Sequence, residues 1–482
     1  PVMAVKRVSA PLTGGLEANG EADIIIAAYH EGASREGSLA DQEAESPIFR
    51  ALVEATSPRV DVIFNGHTHL AYAHQARIPG HASAGIGGSG EETKDATWAG
   101  GVGTSLGGGR AQGTRPVLQS GAHAALIGKV RLEIDPATHR VVTSRVENLE
   151  PRSGAGSTLP RVKKVAALLD WALAEAAEIG QEEINTLTAA ISRALDLAPD
   201  GQILDDDRSL ESPLTNLVAN MYRDRLADSG RGGARIGVQN PGGTRVDLQA
   251  GVLTYADAAD VLPFANTLMT ARLTGAQFKQ LLEQQWQPPG ASRPYLQLGL
   301  SDNVTYSYDS SRAEGDRITA INLDGAPLDG EAEVVVGGSD FLIGGGDNFS
   351  VLNRATERRD SGLSDLEEWV AYLKGSAALS PSFAKRAVQI SPNPTNLIIG
   401  RPQRIRVSGL DFAKVIGAVT NRRLTARIEG IEVSAAQIVA GAADLTLSVP
   451  AGVGPGLKTL DITASPTETT LRIPVEVLAS GG

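Results

Sequence analysis

The chain has no cysteine. That excludes disulfides, thiolate metal sites and cysteine nucleophiles together, and says little about compartment. No apolar run approaches the ~20 residues that a membrane-spanning helix needs, so no transmembrane segment is expected. The best candidate, Ala22 to Ala28, is far shorter. Positive charge is in deficit, with 44 Lys and Arg against 56 Asp and Glu and a net charge of −12. Wrapping DNA or RNA needs the opposite balance, so no polymeric nucleic acid partner is expected. The first residues, Pro-Val-Met-Ala-Val-Lys-Arg, lack both an initiator Met at position 1 and the apolar stretch of a signal peptide. We expect a processed product or a fragment. What remains, 482 residues with 41% hydrophobic and 21% charged, suits two to four globular domains.

The first segment, to about residue 155, reads as α/β. Ala22–Tyr29 and Val60–Asn65 are short β-branched runs of the kind found in buried parallel strands. A helix beginning at Ser46-Pro47 lies between them, so a parallel β-α-β unit is expected. Residues 78–113 are rich in glycine and aperiodic, and predict a long surface insertion. Strands resume at Pro116–Gln119 and Gly128–Ile134. Arg161–Ala177 carries one apolar stripe at helical spacing and predicts a helix joining two domains within a linker at 156–184. Residues 185–390 mix helices (Leu214–Leu226, Gly275–Gln285) with strands (Val304–Tyr308, Ile318–Leu323, Glu333–Val336), an α+β domain. Short strands separated by Gly and Pro then predict a small immunoglobulin-like β-sandwich over 391–482, with Leu424–Val433 as one of its strands.

Both N-terminal strands end in loops that carry histidine. In an extended segment residues two apart share a side, so His67 and His69 of Gly66-His67-Thr68-His69 can face one cluster, with Gly66 allowing a tight turn. His30 follows the first strand and would lie near them. Imidazoles in such a cluster suit Zn, Mn, Fe or a similar divalent ion; the alternative is a polar loop. His74, His81, His123 and His139 read as surface or supporting residues, His74 being the likeliest of them to do more. Farther on, Asn240-Pro241-Gly242-Gly243-Thr244-Arg245 follows an apolar strand. Its glycines let backbone N–H groups approach an anion, and Arg245 offers a planar fork; a hairpin with a solvated Arg is the alternative. A second glycine loop, Gly344-Gly345-Gly346-Asp347, has an acid able to accept from hydroxyls. Phe264 and Phe341 stand out in a chain with only 4% aromatics. Two such rings can sandwich a planar base, or can simply be core.

Six segments in order give the chain its resemblance. They are AYHEGAS around His30, NGHTH at 65–69, Gln119-Ser120-Gly121, NPGGTR at 240–245, LPFANTL at 262–268 and DFLIGGGDNF at 340–349. Together they resemble the bacterial 5′-nucleotidases of the metallophosphoesterase type, a family that includes UDP-sugar hydrolases and 2′,3′-cyclic nucleotide phosphodiesterases. The resemblance covers roughly residues 1 to 390. It implies part of a four-layer α/β metallophosphoesterase domain, followed by the family's α+β C-terminal domain. It further implies two divalent metal ions (Zn, Mn, Fe, Co or Mg), with His30 and His67 binding one and His69 the other. By the same resemblance Arg245 holds the phosphate or nearby sugar, and Asn240, Gly242, Gly243 and Gly346 are further substrate-binding residues. Phe264 and Phe341 clamp the base, Asn266 contacts its edge, and Asp347 meets the ribose hydroxyls.

The family's D-x-H, bridging-aspartate and G-N-H-[DE] motifs precede the strand carrying His30, and residues 1–29 contain none of them. Asp23 sits before a strand and cannot replace them. The resemblance therefore implies an N-terminally truncated hydrolase in which no catalytic residue is present and half the metal ligands are missing. Nucleotide hydrolysis belongs to the full-length parent. A non-catalytic nucleotide-binding or surface-adhesion protein, and a UDP-sugar or cyclic-nucleotide phosphodiesterase, are the alternatives. The partner is a nucleotide or nucleoside, with a cell-wall or surface partner open to the C-terminal β-domain. Family relatives imply an extracellular or periplasmic site.

Overall fold

The fold is seen in a computed structural model that describes residues 2–12, 22–80, 105–106, 113–122, 124–152, 156–197, 203–289, 291, 293–377 and 379–480. Contacts divide the chain into two compact units, 1–166 with 288–294, and 167–287 with 295–482. The first contains α1 (Val2–Leu12), β1 (Ile26–Ala28), α2 (Leu39–Glu45), α3 (Pro47–Ala55), β2 (Val62–Phe64), β3 (Ala71–Arg77), β4 (Ser105–Leu106), β5 (Thr114–Ser120), β6 (Ile127–Ile134) and β7 (Val141–Leu149). The start of α3 follows its sequence signals. Ser46 caps it by accepting from the Phe49 N–H, and Pro47 sits where a missing N–H costs nothing.

Strand β1 runs parallel to β2, and β2 parallel to β5; β3 pairs antiparallel with β5, completing the order β1-β2-β5-β3. Strand alternation sorts the two faces. Ile63, Tyr72 and Val117 join Phe49, Leu52 and Val53 of α3 in one core. Their chain neighbours Val62, Ala73 and Leu118 meet Val146 of β7 in another. A helix thus covers one face, and the β4-β7-β6 sheet covers the other. Arg115, fully buried on β5, donates to the carbonyls of Val53 and Thr56 at the end of α3 and to those of Ser57 and Val60 in the loop beyond it. Strand β4 falls inside the glycine-rich stretch expected to be an aperiodic insertion. Its Ser105 pairs with Val146, while 81–104 and 107–112 lie outside the described residues, as do His81 and His123.

Helix α4 (Pro160–Gly180) forms as predicted and buries none of its residues; Leu169 and Leu173 of the expected stripe are exposed. Its Ala, Leu, Glu and Lys content favours helix without tertiary support. Among the described residues no helix is long and apolar enough to cross a membrane.

The second unit opens with β8 (Glu183–Leu187), β9 (Leu195–Leu197), β10 (Ile203–Asp206) and α5 (Pro213–Leu226). Next come β11 (Ile236–Gln239), β12 (Gly251–Thr254), α6 (Tyr255–Val261), β13 (Thr267–Thr274), α7 (Gly275–Glu283), β14 (Gly299–Leu300), β15 (Val304–Tyr308), β16 (Ile318–Leu323) and β17 (Ala326–Pro327). They are followed by β18 (Glu333–Ser339), α8 (Asp340–Ile343), β19 (Glu357–Ser364), α9 (Asp365–Gly375) and β20 (Ala387–Ser391). A mixed sheet of order β14-β11-β18-β13-β19 forms its centre. Ile236, Val238 and Val336 pack with Phe278 and Phe349 on one face. On the other, α5 lies so close that a Cβ at Gly237 would sit 1.7 Å from the Ala219 carbonyl oxygen. Tyr222 of α5 and Trp369 of α9 complete that second core.

The chain ends in β21 (Asn396–Ile398), β22 (Gln403–Ser408), β23 (Arg423–Ile428), β24 (Ile431–Gln437), β25 (Ala443–Leu447), β26 (Gly456–Ser465) and β27 (Thr469–Leu478). The stretch Leu424–Val433, expected as one strand, is a hairpin. Glu429 and Gly430 both take positive φ, 50° and 79°, and reverse the chain between β23 and β24. One sheet of this module is β21-β27-β26-β23-β24. The other, β17-β16-β15-β20-β22-β25, is continuous with the preceding α+β fold through β20. Along β20, Ala387 belongs to the α+β core, and Val388 and Ile390 belong to the sandwich core.

A buried carboxylate pins that junction. Glu211, just before α5, accepts from the backbone N–H groups of Arg386 (2.8 Å) and Ala387 (3.2 Å) and from Asn216 Nδ2 (2.9 Å), and pairs with Lys385 Nζ at 3.0 Å. Burial alone would raise its pKa, but the Lys385 charge and these donors outweigh burial and lower it. We expect Glu211→Ala to cost about 3–5 kcal/mol of unfolding free energy in urea melts, because Lys385 and two backbone donors lose their partner. A cost under about 1 kcal/mol, the range of an exposed pair, would contradict the pin.

His74, read from sequence as a surface or supporting residue, is instead buried. Its Nε2 contacts Gln42 Oε1 at 3.0 Å, and its ring stacks on Tyr72 with centroids 5.4 Å apart. Burial lowers its pKa to about 4. The unfolded chain binds this proton more tightly, so the contribution is complete above about pH 6.5 and is lost as pH falls toward 4. The loss is on the order of 3 kcal/mol. Melts of wild type and His74→Gln should therefore converge as pH drops through that window, and parallel curves would count against it.

Candidate functional site

In the first unit the loops after β1 and β2 are laced together. Asn65 Nδ2 and the Gly66 N–H both donate to the Glu31 carbonyl, and the Tyr29 N–H donates to Phe64 O. This brings His30 and His67 side by side, with ring centroids 5.2 Å apart and planes at 61°. Both rings are exposed. The alternation expected at 67–69 does not apply, because the segment is a turn: φ is 71° at His67 and 62° at His69. Strain therefore sits on the histidines themselves. The glycine required by close approach is Gly32, where a Cβ would lie 2.3 Å from Gln119 Oε1; Gly66 has room for one. Among the described residues no group of three or more His, Asp or Glu is arranged to hold a metal. Two imidazoles without a carboxylate fall short of a divalent-metal centre. The described donors therefore do not fit the bimetal site that the resemblance implies. His139 lies elsewhere on the surface, with Nδ1 3.1 Å from Asp23 Oδ2.

In the second unit the topology gathers the other motif residues. β11 is parallel to β18, and β13 is antiparallel to both β18 and β19. The ends of β11, β18 and β19 and the start of β13 therefore share one sheet edge. The 240–245 loop leaves β11, the 340–349 loop leaves β18, Phe264–Asn266 enter β13, and Asp365 follows β19. Leu268 pairs with Ser339, so Asn266 and Phe341 each lie two residues beyond that pair.

The loops are tied to one another. Asn240 Nδ2 donates to Asp347 Oδ2 at 3.0 Å. Arg245 folds back over its own turn, donating to Gly242 O at 3.2 Å, with its guanidinium carbon 5.7 Å from the Phe264 ring centre. That is within cation–π range. Phe264 and Phe341 are 55% and 47% exposed, so neither is core, whereas Phe349 at the end of the second loop is fully buried and anchors it. Ala265, Asp347 and Asn348 have φ of 49°, 52° and 63°, a concentration of unfavourable backbone at the candidate site. Gly346 is needed by contact, since its Cβ would lie 2.6 Å from Phe341 Cζ and 2.7 Å from Phe341 O.

Two neighbours escaped the sequence reading. Arg208, held by Asp206 at 2.9 Å, lies where a Cβ on Gly242 would be 2.8 Å from its Nη1; no local signal marks it. Asp365 accepts from Asn266 Nδ2 at 2.9 Å. An acid opening a helix after Ser364 reads as ordinary helix-start chemistry, which concealed it.

Residues 191–354 match the protein family described as 5′-nucleotidase, C-terminal domain. The chain is 29% identical over 187 residues to the trifunctional nucleotide phosphoesterase of Bacillus subtilis strain 168, a match covering 37% of this chain and 12% of that protein. It is 30% identical over 191 residues to a cell wall protein of Listeria monocytogenes serovar 1/2a, covering 38% and 23% respectively. The chain thus spans well under half the length of these curated relatives. The 5′-nucleotidase precursor of Thermus thermophilus superposes with a TM-score of 0.50 at 22% identity, over 80% of this chain and 67% of that one, a likeness of fold.

Gly346→Ala tests whether the Phe341 ring takes part in nucleoside binding. The added methyl must displace the Phe341 ring, so we expect adenosine affinity, measured by calorimetry, to fall about tenfold, the scale of losing one stacking face. Unchanged affinity would show that Phe341 has no part in binding.

Proposed function

We propose, on the premise that residues 191–354 form a 5′-nucleotidase C-terminal domain, that the chain contributes the nucleotide-recognition part of 5′-nucleotidase-type hydrolysis of nucleotide phosphate esters. The second unit holds the nucleoside, and the first unit belongs to the four-layer metallophosphoesterase fold. One observation carries the reading: two half-exposed phenyl rings stand on the sheet edge that also bears Asn266, Asp347 and the Asn240–Arg245 turn.

The residues suit the separate parts of a nucleotide. Phe264 and Phe341 offer π faces to a base, each worth roughly 1–3 kcal/mol. Asp347, steadied by Asn240, is an acceptor for vicinal ribose hydroxyls. The N–H groups around Gly242 and Gly243, with Arg245, form an electropositive turn for the phosphate or adjoining sugar. His30, His67 and His69 are the imidazoles the first unit offers toward two divalent ions, which would supply Lewis-acid activation; the described residues do not complete that donor set. The name of the Listeria relative supports an extracellular or periplasmic site, with the C-terminal β-module as the part open to a wall or surface partner.

Recognition and turnover should therefore separate. We expect the 482-residue chain to bind adenosine, and Phe264→Ala/Phe341→Ala to weaken that binding by roughly tenfold or more. With AMP and Mn²⁺ or Zn²⁺, phosphate release should stay at the blank rate. Steady release would overturn our account of the metal donors, and identical adenosine binding in the double variant would overturn the clamp.

A further inference from the structure

The described residues around the clamp include a carboxylate with no role in the reading above. Asp365 opens α9 and is 1% exposed. It brackets Asn266 twice: its backbone N–H donates to Asn266 O at 2.9 Å, and its Oδ2 accepts from Asn266 Nδ2 at 2.9 Å. Its other oxygen, Oδ1, is buried with no hydrogen-bond partner. A buried carboxylate oxygen left bare is costly and is out of keeping with a group serving only to cap a helix; Ser364 occupies the capping position and makes no side-chain cap bond.

An ionised carboxylate only accepts, so it can engage only the NH₂ end of a neighbouring amide. With its nitrogen committed to Asp365, Asn266 has its carbonyl oxygen left as the acceptor for a ligand. Asn266 is only partly buried and enters β13 two residues after Phe264. A protonated Asp365 has the opposite property: it can donate to the amide oxygen and release the NH₂ end.

Resting on the nucleoside reading of this site, we propose that Asp365 is a positioning residue that fixes the direction of the Asn266 amide. It thereby selects bases presenting an amino group, as 6-aminopurines do, over bases presenting an oxygen acceptor at that position with the neighbouring ring nitrogen unprotonated.

The environment brings this choice into an accessible pH range. Burial raises Asp365 to about 6, against the pull of the Asn266 bonds and the Leu366 N–H, and the charge of Asp340 raises it further. Tyr222 of α5, its own pKa pushed well up by burial, faces it as a neutral hydroxyl. Glu368, one turn along α9, is paired with Arg225.

The test compares adenosine with 6-methoxypurine riboside, which replaces the amino donor with an oxygen acceptor and leaves N1 unprotonated as in adenosine, by calorimetry on the full chain. We expect adenosine to be favoured about tenfold at about pH 7.5, with the ratio collapsing toward one at about pH 5 as Asp365 protonates. Asp365→Asn, whose amide can either donate or accept, should give a ratio near one at both pH values. Asn266→Ala should do the same while retaining the stacking contribution. A wild-type ratio that is flat across this range overturns the inference without recourse to any variant, as does a preference surviving in Asp365→Asn. If both nucleosides bind equally and the Phe264→Ala/Phe341→Ala variant loses both, this inference falls and the nucleoside reading stands. If neither binds, both fall.

Discussion

The pairing of Leu268 with Ser339, and the ladder built on it, is what makes a site in the second unit. Loops separated by a hundred residues in sequence meet there because hydrogen-bond register leaves them no other edge. Each loop is then held from beneath. Asn240 reaches Asp347, Asp365 holds Asn266, and buried Phe349 anchors the glycine loop on which Phe341 stands. The polar and aromatic groups left at the surface are there because their neighbours are not. Slipping β13 by one residue against β18 would turn Asn266 away from Asp365 while leaving the β11–β18 supports in place.

Sequence reasoning recovered the elements whose signals are local. Ser46-Pro47 opens α3, parallel pairing joins β1 and β2, and β15 and β16 form over Val304–Tyr308 and Ile318–Leu323 as expected. The motif residues of the second unit, expected together from the resemblance, stand where several elements end at one side of the sheet. What escaped was long-range or depended on exact dihedrals. Alternation at His67 and His69 presumed extended backbone, whereas both adopt left-handed φ. Glu429-Gly430 looked like strand interior because nothing in their composition requires two positive φ values. Asp365 was invisible because its importance lies in Asn266, ninety-nine residues away. The need for glycine at position 32 rather than 66 likewise comes from a side chain, Gln119, that only the tertiary fold brings near.

Backbone strain and glycine are distributed unevenly. In the first unit, left-handed non-glycine residues include His67 and His69 of the histidine turn; in the second they include Ala265, Asp347 and Asn348 beside the exposed phenyl rings, with others such as Lys414 and Glu429 in turns elsewhere. Each costs of order 1–3 kcal/mol and persists only where the surroundings over-determine it. Those surroundings are visible: the Asn65–Glu31 lacing in one unit, and Phe349 with the Asn240–Asp347 bond in the other. The glycines inside the elements have a different purpose. Gly237 lets α5 rest on the sheet, and Tyr222 of that helix in turn backs the Asp365 cluster.

Strand β20 has one neighbour in the α+β fold, β15, and one in the terminal sandwich, β22, with Glu211 clasping its start. Two modules that share a strand cannot swivel against each other as beads on a tether do. Whatever surface grips the C-terminal sandwich therefore also dictates the direction in which the phenyl-lined edge looks, and a host that anchors the one has already aimed the other.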